Sequence, residues 1–260
     1  MASVSQNIKI RDIDQLREEL KGWETEPVQL SPGPLDLVLS TAEVGTCALL
    51  QLSVGPRIAD RSEVHAGYVG FVLAERPQTW CGVEIKPPTL LIMRPGREMR
   101  SILLPGFRSL EFYLKESDLL GHPLGKMLCH NRLDPERSVV PLNNLMATRL
   151  RNMANLVFSD SGTPGGVGDA MIVNEATQNR ILDLLESIIR LHFDISPSTH
   201  DGKRKQPRNS ILAIAALDRI ERFDPTSVSV ANLCDQLGVS RRSLELSFAN
   251  TLGVSPGQYL

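Results

Sequence analysis

SVSVANLCDQLGVSRRSLELSFANTLGVSPGQYL, residues 227–260, places small and apolar residues where two helices crossing at a tight turn require them. Leu233 and Leu237 stand one turn apart on the inner face of a first helix. Cys234 takes the small-residue position where the helices approach, Gly238 supplies the turn, Val239 plugs the corner, and Ser240 caps a second helix. On that second helix Leu244, Phe248 and Leu252 form one stripe, so Arg242, Leu246 and Ala249 fall nearly opposite and Glu245 lies on the flank. The spacing predicts a helix-turn-helix from about Ser229 to Asn250.

Upstream, Ser210 to Phe223 reads as a helix with Ile211, Ile214, Ala215, Leu217 and Ile220 inward, ended by Asp224-Pro225. Residues 196–209, SPSTHDGKRKQPRN, have no apolar anchor and read as an interdomain linker. Their basic Lys203, Arg204, Lys205 and Arg208 suit either a solvated tether or phosphate contacts. Helical periodicity runs through Leu142, Leu145, Met146, Leu150 and Met153, and again through Ile181, Leu182, Leu185, Ile188, Ile189 and His192. The glycine-rich Ser159 to Asp169 between them lacks the Lys-Ser/Thr ending of a phosphate-binding loop and reads as a connection. From Leu35 to Leu114 short runs rich in Val, Leu, Ile and aromatics alternate with Gly and Pro, the texture of a closed or sandwiched antiparallel sheet able to enclose a small cavity. A short amphipathic helix precedes it, with Ile13, Leu16 and Leu20 at helical spacing and Gly22 at its stop.

The 260 residues are 42% hydrophobic and 22% charged, enough for two globular domains, and the net charge of −2 means that affinity for nucleic acid must come from local clusters of Lys and Arg. No apolar run is long enough to span a bilayer and no signal segment opens the chain, so a cytoplasmic location is expected. Cys47, Cys81, Cys129 and Cys234 lack zinc-binding spacings and are expected to be reduced and buried. His65 is the sole histidine of the strand region, so no metal centre or other cofactor is expected. His122, His130, His192 and His200 form no evident nucleophilic constellation, and no enzyme is expected.

The pattern from Val230 to Leu260, V-x-x-L-C-x-x-L-G-V-S-R-R-S-L-E-x-x-F-x-x-x-L-G-V-S-P-x-x-Y-L, resembles the AraC/XylS family of transcription regulators. That resemblance implies a DNA-binding region of two helix-turn-helix units joined by a long helix. Positions matching Arg242, Glu245 and Leu246 approach bases there, although a polar residue often stands where this chain has Leu246. The chemistry agrees: Arg reads guanine edges bidentately, a carboxylate accepts from cytosine, an exposed leucine can touch a thymine methyl, and Arg241 with the free N–H groups of the first turn after Ser240 would face phosphate. Ser255-Pro256 looks like the start of the connecting helix; the second unit is not in the sequence, and a C-terminal truncation after the first unit is expected.

The family often joins this reading head to a cupin-like β-barrel sensor followed by dimerisation helices. The expected class is therefore α+β, with a ligand-sensing and dimerising domain over 1–195 (β-rich about 30–115, helical about 141–193), the linker 196–209, and a partial all-α DNA-binding domain over 210–260. GW, QLSPGP, TWCGVE and PPTLLIMRPGREM resemble the sensor half of regulators of amine utilisation, of the ethanolamine or quinohemoprotein amine dehydrogenase type. A small amine effector needs aromatic faces or a carboxylate in an apolar pocket, and Tyr68, Phe71, Trp80, Glu84, Glu111 and Tyr113 are the candidates. Alternation puts Phe112 and Tyr113 on opposite faces of their strand, so only one of them can line a given cavity. The resemblance implies an activator that works with double-stranded DNA, a small-molecule effector and RNA polymerase, as a homodimer and without a membrane. The alternative is a non-metal cupin-like isomerase, or a small-molecule binding protein, with a helical interaction tail.

Overall fold

The computed structural model describes residues 6–19, 24–130, 138–159, 167–195, 212–213, 215–217, 219–220, 228–252 and 254–260. The expected linker 196–209 and most of the glycine-rich connection lie outside the described residues.

Among the described residues twelve strands follow one another as β1 (Gln6–Ile10), β2 (Glu24–Gln29), β3 (Leu37–Val44), β4 (Cys47–Val54), β5 (Ile58–Glu63), β6 (Tyr68–Ala74), β7 (Gln78–Trp80), β8 (Val83–Ile85), β9 (Thr89–Met93), β10 (Glu98–Leu103), β11 (Phe107–Lys115) and β12 (Val139–Pro141). They form one seven-stranded sheet, β1-β3-β4-β11-β6-β9-β12, and one five-stranded sheet, β2-β5-β10-β7-β8. All named pairings are antiparallel, with β11 central between β4 and β6, and β10 between β5 and β7. The expected closed barrel is corrected to two separate sheets. The outer strands β8 and β12 are three residues long, too short to extend a ladder that would close the structure, and Pro27 in the outer strand β2 removes a backbone donor.

Period-two alternation gives the large sheet two buried faces. In β11, Leu110, Phe112 and Leu114 point to one side while Phe107 and Tyr113 point to the other. The first side is covered by helices: α2 (Glu116–Leu119), α3 (Pro123–His130), α4 (Asn144–Ser159) and α5 (Val167–Ile195), through Leu124, Leu150, Ala154, Ile181, Leu185 and Ile189. The second side faces the small sheet across Leu37, Leu39, Leu50, Ile58, Trp80, Leu91 and Met99, where α1 (Ile13–Glu19) adds Leu16. Burial of these aliphatic and aromatic side chains, about 1.5–3 kcal/mol each, is what holds the layers together. Leu145, expected inward on α4, is exposed, as are Leu156 and Leu191. Among the described residues no helix is long and apolar enough to cross a membrane.

The C-terminal helices α6 (Val230–Leu237), α7 (Arg241–Thr251) and α8 (Pro256–Tyr259) form a third apolar cluster, into which the outward face of the small sheet inserts Ala59 and Ile102. The expected burial of all four cysteines holds for Cys47, whose thiol burial pushes up to about 12; Cys81 and Cys234 are half-buried and Cys129, on a helix covered on one face only, is exposed.

Candidate functional site

Two places in the molecule concentrate functional chemistry, and the first is the turn between α6 and α7. Ser229 is extended and its Oγ accepts from the Asn232 N–H at 3.2 Å, which starts α6. Gly238 ends that helix at φ 63° and ψ 36°, a left-handed conformation that a side chain would strain, and the Val239 N–H returns to the Cys234 carbonyl at 3.0 Å. Ser240 then caps α7, its Oγ accepting from the Ser243 N–H at 3.1 Å. Leu233, Leu244, Phe248 and Leu252 are buried together, and the Phe248 and Tyr259 rings meet edge to face with centroids 6.0 Å apart. Pro256 opens α8, with the Gln258 carboxamide oxygen accepting from the Ser255 N–H at 2.9 Å.

That packing leaves the opposite face of α7 in solvent. Arg241 and Arg242 are exposed, Leu246 is 49% exposed, and Glu245 is half-buried on the flank. Arg241 Nε donates to Glu245 Oε1 at 2.9 Å, an i,i+4 pair that holds both side chains along the helix. The Ser240 hydroxyl is engaged by its cap and by Ser243 Oγ at 2.9 Å, so its part at this surface is to fix the first turn. Two cations stand here at the positive end of the helix dipole, so charge and dipole both favour an anion beside this turn.

The second place is a cavity of about 120 Å³ between the sheets. Its apolar walls include Leu39, Leu50 and Leu91; its polar groups include Asp60, Glu111, Thr25 and Tyr113. Ser109 Oγ donates to Glu111 Oε1 at 2.7 Å, Tyr113 Oη to Glu111 Oε2 at 2.6 Å, and Thr25 Oγ1 to Asp60 Oδ1 at 2.7 Å. Burial pushes the Glu111 carboxyl up, and the charge of Asp60 adds to it; burial likewise raises Asp60, to which Glu26 adds. Tyr113 is pushed well above its ordinary value by burial and by Glu111. A Cβ on Gly70, opposite Tyr113 in the β6–β11 register, would lie 2.8 Å from Tyr113 Cε1, so glycine is what lets the phenol ring lie there.

Of the sequence candidates for ligand contact, Trp80, Glu111 and Tyr113 line this cavity. Trp80 is buried and its indole N–H has no partner among the described residues. Phe71 does not reach the cavity: its parity on β6 turns it under the helices, where it is fully buried. Glu84 stands exposed on the outer strand β8, and Tyr68, at the start of β6, packs edge to face on His65 instead. Asp60 was not among the candidates; its signal was a lone carboxylate between Ile58 and Ser62 on one face of β5.

The two places share a wall. On β5, Asp60 faces the cavity and Ala59 faces the C-terminal helices; on β10, Ser101 faces the cavity and Ile102 those helices, and Ala59 pairs with Ile102 across the strands. Beside them Arg57 Nη1 donates to the Leu252 carbonyl at 2.8 Å, at the negative end of α7.

A third cluster, His122, Asp183 and Glu186, brings ligand atoms together between α3 and α5. His122 Nδ1 accepts from the Leu124 N–H at 3.2 Å, which puts the ring proton on Nε2 toward Asp183 at 3.7 Å, and Glu186 is paired with Arg190. A metal would have to displace that proton from an imidazole already accepting at its other nitrogen, so the arrangement suits a polar contact of the neutral ring with α5.

No family model matches the chain, and no curated protein matches it. Among solved structures it is similar to that of the AraC-like transcriptional activator CuxR, with a TM-score of 0.49 and 15% identity over 98% of this chain and 92% of that one. It is also similar to ToxT from Vibrio cholerae O395, bound to (E)-4-(8-methylnaphthalen-1-yl)but-3-enoic acid, at 0.26 and 10% identity over 92% and 98% of the two chains. A second ToxT structure gives 0.24 and 11% over 92% and 97%. The family reading rests on the motif of residues 230–260.

Proposed function

We propose that this protein is a DNA-binding transcription regulator of the AraC/XylS type, an activator acting in the cytoplasm, whose reading helix is α7 and whose effector, a small amine, occupies the cavity between the sheets. The observation that carries the reading is the solvent-facing start of α7. Arg242 is free to enter a major groove and read guanine, Glu245 and Leu246 follow one turn on, and Arg241 with the N–H groups after Ser240 meets phosphate.

Effector and DNA would be coupled through the common wall. A ligand that shifts β5 or β10 alters the surface on which Ala59 and Ile102 hold the head, and Arg57 ties the end of α7 to the same wall. Binding then shifts an equilibrium between docked and DNA-engaged arrangements by no more than the ligand's preference between them. The sensor over 1–195 would dimerise through its helices, with 196–209 as tether and 210–260 as reading head, and recruit RNA polymerase.

Selection of binding sites from random duplex DNA, followed by titration of Arg242→Ala, tests the reading. The expected result is a loss of about 1–3 kcal/mol and relaxed choice at one base pair. Unchanged affinity and sequence preference would overturn it and favour a binding protein or isomerase that uses the carboxyls of the cavity.

A further inference from the structure

We propose that the cavity is a binding site for a small organic ammonium ion, its head seated between Asp60 and Glu111 and its carbon chain against Leu39, Leu50 and Leu91. The inference deepens the effector half of the proposed function and takes its regulatory meaning from it.

The charged groups among the described residues that line this space are all acidic: Asp60, Glu63 and Glu111. Two of them face each other's field inside a mostly apolar chamber, an arrangement that is costly to leave ionised without a counter-charge. The protein surrounds them with donors: Thr25 gives its hydroxyl proton to Asp60, while Ser109 and Tyr113 give theirs to the two oxygens of Glu111. Donors on this side stabilise the ionised form, and a carboxylate with about four acceptor positions retains room for the N–H groups of a ligand.

An ammonium head carries donors and no acceptor, the complement of this wall, and Trp80 and Tyr113 add aromatic surface that favours a cation. A metal ion would want six or more oxygens at short range, whereas here the walls are leucine and the space is larger than an ion. Size bounds the tail. An apolar cavity of about 150 Å³ accommodates benzene, so 120 Å³ fits about four to six non-hydrogen atoms.

The test is calorimetry and thermal shift on the full chain without DNA, using primary alkylammonium ions of two to five carbons beside the matched alcohols, the matched carboxylates and calcium. The expected result is saturable binding and a rise in Tm for the ammonium series alone, with affinity at least tenfold lower in Asp60→Asn and in Glu111→Gln. Leu50→Phe, which fills the chamber and leaves the acids in place, is expected to abolish the response, so a folding defect in either acid variant does not decide the matter. Equal binding of alcohols, carboxylates or calcium, no ammonium binding at all, or undiminished affinity in folded Asp60→Asn and Glu111→Gln would overturn the site. Ammonium binding with Arg242-independent DNA binding would overturn the regulator reading and leave the site standing; the converse result would do the reverse.

Discussion

Asp60 and Glu111 lie between two sheets with their half-buried carboxyls turned into the cavity, whereas Arg241 and Arg242 stand in solvent on the first turn of α7. The interior pair is held by hydroxyl donors and pushed toward its neutral form; of the exposed pair, Arg241 makes a surface contact to Glu245 and Arg242 projects into solvent. A carboxyl drawn between two sheets is therefore informative by itself, because the fold must compensate its desolvation. An exposed charge is informative only through the element that presents it, here a capped helix start beside a left-handed glycine.

The contrast breaks first at Phe248. It is fully buried under α7, and Phe248→Ala is expected to cost about 3–5 kcal/mol. Hydrogen exchange should then rise in α6 and α7 while the sandwich amides stay protected; loss of protection in both would show that the head and the sandwich unfold as one unit through Ala59 and Ile102.

Next comes pH. Folding raises the Asp60 and Glu111 carboxyls above their ordinary range, so over that range the unfolded state binds fewer protons and stability falls as pH rises. Urea midpoints of the unliganded protein should therefore decline from the ordinary carboxylate range upward, and Glu111→Gln should flatten the decline. A slope unaltered by that change would place the titration elsewhere.

The smallest effect is expected at Ser240. Loss of its cap in Ser240→Ala should cost about 1 kcal/mol and weaken DNA binding by misplacing the first turn rather than by removing a base contact. An altered base preference in this variant would give the hydroxyl a direct reading role.

The helix-turn-helix was legible because its determinants are local. Gly238, Ser240 and the Leu244, Phe248, Leu252 stripe act over three or four residues, and the structure places the turn, the caps and the buried face where the spacing puts them. The cavity was legible only in part. Alternation separated Phe112 from Tyr113, yet parity within a strand does not say which face meets the helices and which the second sheet, and so Phe71 was grouped with residues it never meets. Glu84 failed for a related reason: whether a strand is central or outermost depends on partners far away in the chain.

The sequence by itself determined the helix-turn-helix, its caps and its outward arginines, since helical periodicity and turn chemistry are decided within a few residues. Only the tertiary structure decided that Asp60 of β5 and Glu111 of β11 share one cavity and that the back of its wall packs on the C-terminal helices. Those strands belong to different sheets, and the stacking of two sheets is set by long-range packing of side chains that no local spacing encodes.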